Sequence, residues 1–61
     1  MEGLKIYAVA RVSKDSGKTT DVLGTMYTSE SSANSAALFQ ARMEEQPDKY
    51  CYMVYEYTLK N

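Results

Sequence analysis

Three features of this 61-residue chain predict an α+β domain with the order β-β-α-β. Two apolar runs rich in β-branched and aromatic residues flank a short polar turn, and an alanine-rich segment of helical period follows. The chain then closes on Tyr50 to Tyr57, where four of its six tyrosines fall within eight residues. Together these give a single domain over residues 1–61, a three-stranded, mainly antiparallel sheet with one helix packed on one face.

The first strand is expected over residues 4–12, Leu-Lys-Ile-Tyr-Ala-Val-Ala-Arg-Val. It ends at Lys14-Asp15-Ser16-Gly17-Lys18, where Asp and Ser side chains can bond nearby backbone and Gly supplies a positive φ, so the chain should reverse. The second strand follows over 20–28. Pairing Ser13 with Thr19 sets Ala10 opposite Val22, Ala8 opposite Gly24 and Ile6 opposite Met26, which puts these six on one face. Tyr7, Val9, Leu23 and Tyr27 fall on the other, and a one-residue bulge would swap the two faces of the second strand.

A helix is expected over 30–45. Ser29 can accept from the free amides of the first turn, and Glu30 complements the dipole. Ala33, Ala36, Ala37, Phe39, Ala41 and Met43 make its apolar face, with Leu38 off the stripe. Pro47 disfavours helical geometry at Gln46 and turns the chain into the third strand, 50–60. Alternation there puts Cys51, Met53, Tyr55, Tyr57 and Leu59 on one face and Tyr52, Val54, Glu56 and Thr58 on the other. The first set is the more apolar and is expected to meet the helix.

The helical crossover returns the third strand parallel to the second. It can lie beside the first strand, in order 2-1-3, or beside the second. The order 2-1-3 is favoured because the first strand is apolar on both faces, as a central strand should be, and Ala8 and Ala10 leave room for a helix.

Composition narrows the chemistry. A 61-residue domain buries roughly 60% of the surface its unfolded chain exposes, so the core is thin and a second subunit is energetically attractive. The sequence has no histidine and one cysteine, Cys51, which cannot close an intramolecular disulfide. A reduced, cytoplasmic setting is the expectation, with no membrane span, no metal and no cofactor. Seven basic and eight acidic residues give a net charge of −1, too weak a field to draw the chain to duplex phosphate.

Two motifs resolve into structural readings. Ser16-Gly17-Lys18-Thr19-Thr20 has the ending of a phosphate-binding loop, but Val12 stands where its first glycine belongs and a strand follows instead of a helix. Cys51 has no histidine to activate it and is expected to pack beside Met53. Glu30, Glu44, Glu45, Asp48 and Glu56 do not converge as a general acid and base would, so a non-catalytic protein is expected.

The run Val22-Leu23-Gly24-Thr25-Met26-Tyr27-Thr28-Ser29-Glu30, the alanine-rich helix and the closing Val54-Tyr55-Glu56-Tyr57-Thr58-Leu59 resemble small uncharacterised β-β-α-β proteins of bacteria, phages and mobile elements. The chain departs from that pattern by one extra residue between Gly24 and Tyr27 and by a helix richer in serine and alanine than in charge. The resemblance implies the same fold and a bacterial or phage setting, and it supplies no catalytic residue.

One helix covers one face of a three-stranded sheet, so the other face is the candidate partner site. With the helix placed as above, Tyr7, Val9, Leu23, Tyr27, Tyr52 and Val54 line it, an apolar patch of several hundred Å². The leading expectation is a protein-interaction module that dimerises or docks on another protein there, as a phage or mobile-element accessory protein would. The competing expectation is single-stranded nucleic-acid binding, with Tyr7, Tyr27 and Tyr52 stacking on bases and Lys5, Arg11 and Lys60 contacting phosphates.

Overall fold

A computed structural model describes residues 3–59 as β1 (Leu4–Ser13), β2 (Thr19–Tyr27), α1 (Glu30–Met43) and β3 (Tyr50–Leu59). The sheet order is β2-β1-β3 with both pairings antiparallel, so β1 is central and β3 does not touch β2 as a neighbour. Lys60, the expected end of the last strand, lies outside the described residues.

The hairpin turns where its chemistry directs. The Gly17 N–H donates to the Ser13 carbonyl at 2.8 Å and the Ser13 N–H to the Lys18 carbonyl at 2.9 Å. Gly17 has φ 73°, a left-handed conformation that a Cβ would strain. Beyond the turn, β2 departs from the expected register. Ala10 pairs with Val22 as anticipated, but Ala8 pairs with Met26, so Leu23, Gly24 and Thr25 all face the single residue Val9. Thr20 makes a second irregularity, between the Arg11–Asp21 and Val12–Thr19 pairs. The first insertion is of two residues, an even number, so Val22 and Met26 keep the same face and no swap occurs. β1 and β3 pair without interruption from Leu4–Leu59 to Ser13–Tyr50.

Ser29 caps α1: its hydroxyl accepts from the Ser32 amide at 3.4 Å, and its carbonyl from the Ala33 amide at 3.1 Å. The helix stops at Met43, two residues short of the expected end, because Glu44 is already extended (φ −67°, ψ 127°). Around Pro47 the Lys49 and Tyr50 amides both donate to the Gln46 carbonyl, at 2.9 and 3.1 Å, and aim the chain into β3.

The core is small and centred on β1. Ala8, Val9, Ala10 and Val12 are buried together with Ala33 of the helix, and among the described residues Val9 is the one large side chain fully enclosed. Phe39 and Met43, expected to face the sheet, are 59% and 65% exposed, and the inward position of the helix is Ala33.

The helix lies on the opposite face from the one expected. Tyr52 and Val54 line one open groove together with Ala37 and Ala41 of the helix, and Leu23 lines another with Gln40 and Glu44. Residues paired across the strands share a face, so Tyr7, Val9, Arg11, Tyr27 and Glu56 are on the helix side with them. The face of Cys51, Met53, Tyr55, Tyr57 and Leu59 carries no helix. The physical reason lies at the end of α1. Glu44 is an inward-facing carboxylate, and only the Tyr52 face offers it a cation and a hydroxyl.

Candidate interaction face

Two surfaces concentrate the chemistry of this domain, one polar and enclosed, the other apolar and open. The polar one is built around Glu44. Its Oε1 accepts from Arg11 Nε at 2.7 Å and from the Tyr52 hydroxyl at 2.8 Å. Its Oε2 accepts from Arg11 Nη2 at 2.8 Å and from the Gln46 amide at 3.1 Å. Each oxygen thus receives two donors, the full capacity of a carboxylate. The Glu44 side chain is only 5% exposed, whereas that of Arg11 is 31% exposed and lies over the Tyr50 ring at 3.6 Å.

This setting holds the Glu44 carboxyl down at about 2, chiefly through the Arg11 hydrogen bonds and further through Tyr52 and Gln46, against an opposing push from burial. Burial, reinforced by Glu44, raises the Tyr52 phenol. Glu44 is therefore a permanently ionised acceptor at neutral pH, with no free lone pair for a substrate. Its role is to tie the end of the helix to β1 and β3.

The six residues expected to form a partner site lie within this helix-covered layer. Val9 is fully buried. Tyr52 is committed to Glu44, and Tyr7 and Tyr27 are paired across β1 and β2. Burial, followed by Glu56 and Glu30, raises the Tyr7 phenol. Leu23 and Val54 line grooves shared with the helix. Of the residues expected to serve a single-stranded nucleic acid, Tyr52 and Arg11 hydrogen-bond Glu44, and Lys60 lies outside the described residues.

The open surface is the other face of the sheet. β1 contributes Leu4, Ile6, Ala8, Ala10 and Val12, and β2 contributes Val22 and Met26. β3 contributes Cys51, Met53, Tyr55, Tyr57 and Leu59. Six of these are large apolar side chains left roughly half exposed, from 45% for Tyr57 to 58% for Leu4. Down the middle, Ala8 and Ala10 are fully buried although no helix covers them. Tyr55 accounts for this. Its hydroxyl lies 2.9 Å from Thr19 Oγ1, and β3 and β2 flank β1, so the side chain reaches across the central strand between the levels of Ala8 and Val12.

The charges of the strands are sorted by face. Lys5, Arg11, Asp21 and Glu56 are the charged residues within β1, β2 and β3, and the register puts all four on the helix side. None lies on the open side. This sorting is readable from the alternation of the sequence, and it ranks the two faces as hydrophobicity does, so the observed placement of the helix runs against both.

A third feature is an open cleft between the hairpin and the start of β3, lined by Ser13, Lys14, Asp15, Asp48, Lys49 and Tyr50. The Lys14 amide donates across it to the Lys49 carbonyl at 2.8 Å, joining the two loops. Among the described residues no group of three potential metal-ligating side chains occurs, and no helix is long and apolar enough to cross a membrane. No family model matches this chain, and no curated protein or solved structure matches it.

Proposed function

We propose that this chain is a non-catalytic protein-docking module whose contact surface is the helix-free sheet face of Ile6, Val22, Met26, Met53, Tyr55 and Tyr57. One observation carries the reading. The face left open to water has no charged side chain from any strand, while the face already covered by α1 holds all four. A sheet that ended its assembly as this monomer would do the reverse, alternating apolar inward and charged outward. Exposed apolar patches of several hundred Å² mark interaction sites. Met26 and Met53 add unbranched, polarisable side chains that adapt to a partner.

The absence of catalysis is part of the same proposal. The one strongly perturbed acid, Glu44, is saturated by its own neighbours and acts as a strut. The resemblance to small proteins of bacteria, phages and mobile elements suits an accessory protein that works by binding.

A hydrophobic fluorescent probe tests the surface at concentrations low enough to keep copies apart. Probe binding should fall strongly in Met53→Lys and stay unchanged in Leu38→Lys, which places the same charge on the exposed side of α1. Equal binding in all three proteins would remove this face as the docking surface. A mixed single-stranded oligonucleotide at about 50 mM salt should not bind, and salt-sensitive binding would favour the nucleic-acid reading instead.

A further inference from the structure

We infer that the occupant of this face is a second copy of the same chain, docked sheet to sheet about a two-fold axis with the helices outermost. The inference rests on the docking reading above and adds the identity of the partner.

Three observations point to self-docking. The first is charge. A partner selected by electrostatics would find nothing to read on this face, whereas two copies brought together meet no like charges, because Lys5, Arg11, Asp21 and Glu56 all lie behind the sheet.

The second is area. Three strands about 4.8 Å apart and roughly 30 Å long present a footprint of roughly 400 Å². With side-chain relief, two such faces remove about 1,000 Å² or more from water, which reaches the lower threshold of a biological interface. The isolated chain exposes 4702 Å². A folded monomer of 6.9 kDa is expected to expose about 4,000 Å². The chain is thus more exposed than a monomer of its mass is expected to be.

The third is shape. Tyr55 reaches across β1 to Thr19, and at the centre of the face Ala8 and Ala10 are buried while six large apolar side chains around them stay about half exposed. Two faces of this kind pack as aligned sheets do, about 10 Å apart with strands roughly 30° from parallel. A two-fold arrangement uses one patch twice and closes at two copies. It also supplies the second layer that a core with a single large enclosed side chain lacks.

Two measurements on the native protein decide the matter. Sedimentation equilibrium should show a monomer–dimer equilibrium, with a melting temperature that rises with concentration. Methionine oxidation should then slow at Met26 and Met53 as the dimer forms, by about fivefold or more, while Met43 stays reactive. These three side chains are 53%, 48% and 65% exposed in the single chain, so only docking separates them. Met53→Lys, checked for retained folding by circular dichroism, should weaken the dimer about tenfold or more, and Leu38→Lys should not.

A chain that stays monomeric at high micromolar concentration yet binds the hydrophobic probe through this face would overturn the second copy as occupant while leaving the docking reading intact. A monomer that does not bind the probe would overturn both. A dimer whose Met26 and Met53 oxidise as fast as Met43 would show that the copies meet elsewhere, and would overturn the face-to-face arrangement.

Discussion

Arg11 and Glu44, separated by 33 residues, meet through two parallel hydrogen bonds of 2.7 and 2.8 Å and so fix which face of the sheet the helix covers. The helix is otherwise held by small side chains, with Ala33 its one buried residue. Alanine gives close approach but little direction. The forked guanidinium–carboxylate contact supplies the direction, because its two bonds define a plane as well as a distance.

Replacing Arg11 should therefore do more than remove one surface ion pair. Arg11→Met leaves the nearly enclosed Glu44 carboxylate without its cation, and the melting temperature should fall by roughly 5 °C or more. Glu44→Gln keeps a side chain that still accepts from Tyr52, so its loss should be smaller. In the double variant Arg11→Met/Glu44→Gln part of the stability should return. If thermal unfolding places the double variant no higher than Arg11→Met alone, the pair does not act as a unit.

Acid should release the same latch. The folded carboxyl of Glu44 lies at about 2, below its ordinary value of 4.5, so the folded state binds this proton less readily than the unfolded chain does. The stabilisation is complete above the ordinary value and is lost as pH falls from there through about 2. In an acid titration followed by circular dichroism, Glu44→Gln should lose less stability than the wild type between about pH 4.5 and 2. Parallel acid curves for the two proteins would show that Glu44 is not the group responsible.

Tyr55 is expected to stabilise the open face in two separable ways. Tyr55→Phe removes the hydroxyl that meets Thr19 and should cost about 0.5–1.5 kcal/mol. Tyr55→Ala also uncovers Ala8 and Ala10 and should cost about 3 kcal/mol or more. Urea unfolding at fixed protein concentration separates the two. Equal losses would mean that the ring contributes nothing beyond its hydroxyl.

The glycines divide by backbone conformation. Gly17 holds φ 73° at the hairpin, and Gly17→Ala should cost about 1 kcal/mol even though nothing lies within 4 Å of the added methyl. Gly24 sits in the irregular part of β2 with open space around it and without a positive φ. Gly24→Ala should be neutral or gain a few tenths of a kcal/mol. Chemical denaturation of both variants checks the contrast, and a Gly24→Ala loss as large as that of Gly17→Ala would contradict it.

The element order and the 2-1-3 sheet were legible because they rest on local chemistry. Asp15, Ser16 and Gly17 make a turn, Ser29 and Glu30 start a helix, Pro47 forbids its continuation, and a doubly apolar β1 belongs in the centre. The facing of the sheet was not legible in the same way. Both sides of β1 and β3 are apolar enough to form a core, and ranking them by hydrophobicity selects Cys51, Met53, Tyr55 and Tyr57 over Tyr52 and Val54. What reverses that ranking is Glu44 reaching Arg11 and Tyr52, a contact that no local period reveals. The insertion at Leu23–Thr25 was equally hidden, since β2 keeps its alternation on either side of it. The charge sorting was present in the sequence throughout, but like hydrophobicity it argues for covering the uncharged face, so it did not reveal the facing either.

Ala33 offers the sharpest check on how the helix sits. It is fully buried against the sheet, whereas Phe39 and Met43 on the expected stripe are mostly exposed. Ala33→Leu inserts three carbons where the helix approaches the sheet, with Val9 on that side already enclosed, so either the helix lifts or the side chain adopts a poor rotamer. The cost should be about 1–3 kcal/mol, and lifting α1 should also loosen Glu44 from Arg11. Leu38→Ala, at a position 65% exposed, should change stability by no more than about 0.5 kcal/mol. Had the helix instead rotated to bury Phe39 and Met43, Ala33→Leu would be mild and Phe39→Ala severe, with a loss of about 3–5 kcal/mol. Denaturant unfolding of the two variants side by side separates these packings, because each makes the opposite residue the sensitive one.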